Sequence, residues 1–344
     1  MTIVSRIQAL PTWHHLVFRP ITAADVDAVA ALYFLCFGVR PSAAYVRWRY
    51  LDTPTGLTPT MLAFDRGTCV GCYALWPTGL LLDGRHVSGG QAIDSMTHPD
   101  YRGRGLFVEV AERCYEHLRP LGYQVLYGFP NDSAYSVRVR RLNWDHVTDI
   151  HHWARPLWLF DPPPVGRMIA AASLLWPLPA SAEGLRVETK RPDSEAMAVV
   201  LESEETRNVC RVQRTAEWLT WRYHPDSGRD YRWIAVYAGD ALRCFAVWRF
   251  DPVSRRALLA ELVGHSAAFP AALKSALSSA HACRARVLNA FTNDQRLVPL
   301  LKSSGFIRRS SERFMVRSLT GSTLPANIHL AAAWRMFGGD FDAF

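Results

Sequence analysis

The residues of this sequence best suited to chemistry lie between positions 97 and 107, where an apolar run gives way to an amphipathic one. Gly103 and Gly105 can adopt backbone angles closed to other residues, so that successive amides point at one anion. Arg102 and Arg104 supply positive charge, and the following helix adds its partially positive amino-terminal end. This junction predicts a phosphate-binding loop, and a strand-to-helix turn with solvated arginines is the structural alternative.

Hydrophobic periodicity predicts the elements that position this loop. A strand over 86–97 precedes it, and a helix over 105–119 with a regular apolar stripe follows it. A strand over 123–129, a helix over 131–142 and a strand over 144–155 come next. The elements predicted before the loop are strands at 16–22, 59–65 and 68–76 and helices at 23–37 and 41–50.

The charge balance favours a polyanionic ligand. The chain of 344 residues carries 39 basic and 31 acidic side chains, for a formal charge of +8. Coenzyme A or a nucleotide-linked sugar would suit such a protein. No basic run is interleaved with aromatic residues, so the sequence predicts no nucleic-acid partner.

Cysteine usage and hydropathy limit the compartment and the class of protein. Seven cysteines, an odd number, are scattered through apparent helices and strands, which predicts a reducing, cytoplasmic location. Cys69 and Cys72 match C-x-x-C without a second pair or a histidine cluster, so no metal site is predicted. No signal peptide is evident, and the longest apolar stretch, 168–178, is too short to span a membrane. A homo-oligomer remains open.

The chain repeats its own plan. Residues 45–50 read aromatic, aliphatic, any residue, Trp-Arg-Tyr, and residues 218–223 repeat that pattern. Residues 126–132, which include Phe-Pro-Asn-Asp, recur as 288–294 with Phe-Thr-Asn-Asp. The sequence therefore predicts two similar copies in tandem.

The loop in this context resembles that of the GNAT acyltransferases. Arg102-x-x-Gly105-x-Phe107 is similar to the family's R/Q-x-x-G-x-G/A loop for the coenzyme A pyrophosphate, although Phe107 replaces its final small residue. The resemblance covers roughly 16–320. Where the loop should recur, residues 264–270 offer no arginine and no second glycine, which predicts a degenerate second copy.

The resemblance implies an α/β (α+β) fold class with two tandem GNAT folds, each a mixed, mostly antiparallel central sheet flanked by helices. We expect an active amino-terminal domain at 1–157 and a linker at 158–184. A degenerate domain at 185–320 and a carboxyl-terminal docking tail at 321–344 follow. The tail is unusually aromatic and is expected to dock in a groove, and an ordinary docked or mobile tail is the alternative.

The resemblance also implies the coenzyme site. The co-substrate is acetyl-CoA or another acyl-CoA, with no metal. Backbone amides next to a bulge in the strand before the loop would pair with pantetheine and polarise the thioester carbonyl. The expected cofactor-binding residues are Ser95, Met96, Thr97, Arg102, Gly103, Arg104, Gly105, Leu106, Phe107, Asn131 and Arg138.

Candidates for proton transfer depart from the family pattern. Gln91 stands about where some relatives carry a strand glutamate, so Asp94 is the nearest acid and the candidate base. Arg138 or Val139 falls where relatives place a tyrosine, which leaves Tyr135 as the candidate acid. Asn131, Tyr135 and Arg138 share one helix face, where Arg138 would contact a coenzyme phosphate.

Substrate would be bound by the next strand. Asp149, His151 and Trp153 alternate onto one face of it and form the predicted substrate-binding wall. Structural roles are the alternative for these residues and for Asp94 and Tyr135.

Together these features predict an acyl-CoA-dependent N-acyltransferase that acts on a primary amine of a small molecule such as an amino sugar. Attack would be direct, in a ternary complex. The alternatives are a non-catalytic coenzyme A-binding or pathway scaffold module, and a transferase of a longer acyl group.

Overall fold

The computed structural model describes residues 13–56, 59–157, 179–204, 209–320 and 324–342. Most of the predicted linker lies outside this range, as do residues 343 and 344. Among the described residues, no helix combines the length and the hydropathy needed to cross a bilayer.

Eight α-helices are found in the described residues. They are α1 (Val26–Phe37), α2 (Ala43–Tyr50), α3 (Leu106–Leu118), α4 (Asp132–Arg141), α5 (Ser194–Glu202), α6 (Ala216–Arg222), α7 (Phe269–Ala282) and α8 (Val298–Ser303).

Thirteen strands join in one sheet. They are β1 (Val17–Pro20), β2 (Met61–Asp65), β3 (Thr68–Leu82), β4 (Arg85–Thr97), β5 (Val125–Gly128), β6 (Asp145–Pro156), β7 (Leu185–Glu188), β8 (Cys210–Val212), β9 (Tyr231–Ala238), β10 (Ala241–Asp251), β11 (Arg256–Gly264), β12 (Val287–Phe291) and β13 (Ile307–Ser318).

The last strands of the two copies are exchanged. Along the sheet the order is β1-β2-β3-β4-β5-β13-β6-β12-β11-β10-β9-β7, with β8 added to β3. β13, from the second copy, pairs antiparallel with β5 of the first, and β6, from the first copy, pairs antiparallel with β12 of the second. Each half of the sheet is therefore completed by the other half of the chain.

Local sequence explains the elements around the predicted loop. Asn131 caps α4, with its side-chain oxygen accepting from the amide of Ala134 at 2.9 Å. Apolar residues every three or four positions give α3 one buried face, which packs on β2, β3 and β4. The helices α1 and α2 pack on the same strands β3 and β4 through a separate core, which also takes in residues of α5 and α6.

The repeated Trp-Arg-Tyr segments of the two copies contact each other. The indole N–H of Trp48 donates to the backbone carbonyl of Trp221 at 2.6 Å, and the indole of Trp221 donates to the carbonyl of Trp48 at 3.0 Å. Their rings lie 5.8 Å apart. Such a reciprocal contact is what a two-fold relation between similar copies produces.

Replacing Trp221 with phenylalanine tests the importance of this contact. The change leaves the buried carbonyl of Trp48 without its donor and removes part of a packed ring. We expect the free energy of unfolding to fall by about 2–4 kcal/mol. Urea denaturation followed by circular dichroism measures this free energy, with Val253→Ala as a control at an exposed position. An unchanged urea midpoint for Trp221→Phe would contradict a stabilising role for the contact.

Candidate functional site

The predicted phosphate loop leaves a run of backbone amides without backbone acceptors at the start of α3. Gly105 is the residue before the helix and has φ of 86°, and Gly103 has φ of 73°, both in the left-handed region that favours glycine. Within the part of the chain that the structure describes, no backbone amide from residue 103 to residue 107 donates to a backbone carbonyl, whereas the amide of Val108 does. These amides lie beside the exposed Arg102 and Arg104, and unpaired amides at a helix start are groups of the kind that bind anions.

The strand before the loop carries the predicted bulge. Against β3, the register shifts between the pairs Ala74 with Ile93 and Cys72 with Met96, so Asp94 and Ser95 face a single residue. Asp94 adopts φ of 21° there. The bulge expected from the family resemblance is confirmed.

A wedge opens beside this bulge. β4 pairs with β5 only from Gly89 to Ala92, and the last pair joins Ala92 to Gly128. Beyond it, residues 93–97 have no strand partner on that side among the described residues. Backbone groups of Ser95, Met96 and Thr97, the predicted pantetheine and thioester contacts, lie along this unpaired edge.

Asp94 belongs to a charge cluster built around the buried side chains of Arg49 and Tyr50. Its carboxylate accepts a hydrogen bond from Nε of Arg49 and another from the hydroxyl of Tyr50 at 2.8 Å. Nη2 of Arg49 also contacts the carboxylate of Asp342 at 3.0 Å. One guanidinium therefore serves two carboxylates, one on the bulged strand and one in the tail.

Burial shifts the pKa values of two members of this cluster. Burial, and then the Asp94 carboxylate, raise the pKa of Tyr50 well above its ordinary value, so Tyr50 stays a hydrogen-bond donor. Burial also raises the pKa of the Asp342 carboxyl, an effect that Arg49 opposes.

Arg49, Tyr50 and Asp342 were not among the predicted site residues. The only signal for the first two was the Trp-Arg-Tyr repeat, which marked an internal copy and gave no role. The tail was predicted to dock, but no spacing in the sequence related Asp342 to Asp94.

Helix α4 presents its predicted residues in different environments. Tyr135 is half-buried, with the His146 ring 5.8 Å away and the Arg313 guanidinium 4.5 Å above its ring. Arg138, by contrast, is 3% exposed and stacks on Trp144 at 4.6 Å. Arg138 thus points into the protein toward the sheet.

The predicted substrate wall requires a correction. Because β6 pairs with β12 and β13, its residues lie in the second half of the sheet. Trp153 is buried in the core beneath α7, and its indole donates to the carbonyl of Thr292 at 3.1 Å. Trp153 therefore cannot line an open cleft, whereas Asp149 is exposed and His151 is half-buried.

The second copy has the matching wedge, and the tail fills it. β11 pairs with β12 only as far as Leu259 and Ala290. Phe337 forms a bridge with Thr292, which follows β12, and Gly338 packs against Ala260 of β11. The chain itself occupies the gap that is unpaired in the first copy.

The second copy also repeats the charge cluster in a closed form. Tyr223 donates to Glu261 at 2.7 Å, as Tyr50 does to Asp94. Arg214 joins Glu261 at 2.9 Å to Asp340 of the tail at 2.8 Å, and all three side chains are buried. The docked tail therefore supplies the second carboxylate of this cluster.

Known proteins share this architecture. Residues 17–147 match the family described as acetyltransferase (GNAT) domain. No curated protein matches the chain by sequence.

Solved structures match most of the chain at low identity. A GCN5-related N-acetyltransferase from Kribbella flavida covers 88% of this chain and 71% of its own, with a TM-score of 0.64 and 19% identity. A tandem GNAT protein from the clavulanic acid biosynthesis pathway covers 90% and 100%, with a TM-score of 0.56 and 17% identity. N-myristoyltransferase of Saccharomyces cerevisiae with bound myristoyl-CoA covers 89% and 80%, with a TM-score of 0.60 and 13% identity. The predicted fold class, mostly antiparallel sheet flanked by helices, is confirmed.

Gly339→Ala tests whether the tail is locked into the second wedge. A methyl group there would overlap the Glu261 carboxylate and the Tyr223 hydroxyl, whereas at Gly338 it would meet its neighbours at 3.3 Å. We expect Gly339→Ala to release the tail to carboxypeptidase, read by mass spectrometry, and Gly338→Ala to have a much smaller effect. Equal protection in both variants would contradict this account of the docked tail.

Proposed function

We propose that the protein transfers the acyl group of an acyl-coenzyme A to a primary amine, because residues 17–147 match the GNAT acetyltransferase domain family. The acceptor is a small molecule such as an amino sugar, and acetyl-CoA is the expected donor. The observation that carries this proposal is the free amide loop of residues 103–107 beside an open wedge.

The donor fits the first copy in three parts. The diphosphate lies on the amides of the loop, with Arg102 and Arg104 neutralising its charge. Pantetheine completes the unpaired edge of β4 with backbone hydrogen bonds. The thioester then reaches the bulge, where an amide of residues 95–97 polarises its carbonyl.

The acceptor amine approaches from the side of α1 and α2, where Asp94 lies. Its nitrogen attacks the thioester carbonyl carbon as the carbon–sulfur bond breaks, and its proton passes to the Asp94 carboxylate. Arg49 and Tyr50 fix the position of that carboxylate, and Asp342 shares the guanidinium. The second copy helps to position groups of the first site but does not catalyse acyl transfer itself, because its wedge is filled by the tail.

Coenzyme binding is tested by Gly105→Ala with Gly122→Ala as its match. Both glycines have left-handed φ, 86° and 83°, so alanine strains each by about 1 kcal/mol. Only Gly105 belongs to the amide loop. Calorimetry with coenzyme A should show affinity reduced about tenfold or more for Gly105→Ala and unchanged for Gly122→Ala.

Two results would refute the assignment of residues 103–107 as the binding loop. One is equal affinity for coenzyme A in the two variants, and the other is binding of coenzyme A at the second copy only.

Turnover is tested by Asp94→Asn with Glu261→Gln as its match. Each change removes a carboxylate that accepts from a tyrosine and an arginine, but only Asp94 lies beside the open wedge. Release of free thiol from acetyl-CoA across a panel of amines should fall about 100-fold or more for Asp94→Asn. Glu261→Gln should keep turnover while costing stability.

Coenzyme A binding without acceptor-dependent thiol release, from any amine of the panel, would favour a binding or scaffold module instead. Acyl-CoA donors of increasing chain length in the same assay identify the acyl group.

A further inference from the structure

The side chain of Arg138 is a buried cation whose partners are missing. It is 3% exposed, and its Nε and Nη1 atoms have no hydrogen-bond partner. No carboxylate of the described residues forms an ion pair with it, and its one stacking contact is the Trp144 ring at 4.6 Å. A buried guanidinium without an anion is costly, so this position is expected to have a ligand.

The guanidinium lies at the apex of the wedge. A methyl group added to Gly128 would be 2.8 Å from Nη1 of Arg138 and 3.2 Å from the carbonyl oxygen of Ala92. Gly128 and Ala92 are the last pair between β5 and β4 before the strands separate. The absence of a side chain at residue 128 is what lets the charge reach this point.

A second orphan donor lies on the unpaired edge of β4. The hydroxyl oxygen of Ser95, at the bulge, is buried and has no hydrogen-bond partner. Two buried donors without acceptors, at the apex and on the edge of one gap, indicate that the missing ligand carries negative charge or strong acceptors.

We propose that Arg138 holds the sulfur of the coenzyme as a thiolate, so that the leaving group needs no proton donor. This inference rests on the proposed function. The amine nitrogen forms its bond to the carbonyl carbon, the carbon–sulfur bond breaks, and its electron pair stays on sulfur. The amine proton goes to Asp94, and the guanidinium neutralises the thiolate without giving up a proton. The thiolate takes a proton from water after the coenzyme leaves.

The proposal explains why Tyr135 need not act as an acid. Its ring packs beside His146 and beneath Arg313, while Arg138 holds the inward position of the same helix. A thiolate is already a fairly stable anion. A cation that stabilises it can therefore replace the acid that would otherwise protonate it.

The test measures the pKa of the coenzyme thiol in the complex, by ultraviolet absorbance of the thiolate across pH, and needs no acceptor. In the wild-type complex we expect that pKa to lie about 1–3 below its value in free coenzyme A. Arg138→Met should return the thiol pKa to its value in free coenzyme A, and Arg138→Lys should keep part of the decrease. Arg140→Met, an exposed arginine on the same helix, should behave as wild type.

Desulfo-coenzyme A, which lacks the thiol, separates this role from general coenzyme binding. Its affinity should be the same in wild type and Arg138→Met, whereas above pH 8 coenzyme A itself should bind about tenfold more weakly to the variant. If Arg138→Met does not fold, Gly128→Ala replaces it, since the added methyl group displaces the guanidinium and keeps its charge. In the Gly128→Ala complex the pKa of the coenzyme thiol should rise part of the way toward its value in free coenzyme A.

An identical thiol pKa in wild type and Arg138→Met, with both proteins binding coenzyme A, would overturn the inference and leave the proposed function intact. Failure of the wild-type protein to bind coenzyme A would overturn the proposed function as well.

Discussion

The exchange of β6 and β13 is the constraint on which the rest of the structure depends. Without β13, strand β5 would end the first half of the sheet as an open edge, and without β6, strand β12 would end the second. The exchange also fixes the two wedges relative to each other, because the strands that close the halves lie side by side in the middle. Trp48 and Trp221 then lock the helices of the two copies with paired hydrogen bonds.

This arrangement allows the second copy to hold the tail that completes the charge cluster of the first copy. Both halves contain a bulged or unpaired strand edge, a tyrosine bonded to a carboxylate and a buried arginine beside it. In the second copy the tail fills the gap from Phe337 to Asp340 and neutralises Arg214. The same tail then continues to Arg49 and brings Asp342 into the cluster of the first copy. Docking of the tail in the second copy thus places the Asp342 side chain in the charge cluster of the first copy.

Local features of the sequence predicted much of this molecule. Glycines that require left-handed φ marked the loop, and apolar periodicity gave α3 and most strands within a few residues. Alternation along a strand, however, shows only which side chains share a face and says nothing about which strand lies beside it. That is why Trp153 was assigned to a cleft and belongs to a core. Helical spacing likewise placed Tyr135 and Arg138 on one face, but only packing against Gly128 showed that the arginine points inward.

The strand exchange also dictates the order in which the chain can fold. β5 and the strand that completes it, β13, are separated by nearly the whole second copy, so their pairing has a large loop-closure cost and a high contact order. As the chain leaves the ribosome, the amino-terminal part must wait with an uncovered strand edge until residue 318 has been made. Such a topology predicts chaperone dependence during synthesis and poor recovery when the purified protein is diluted from denaturant.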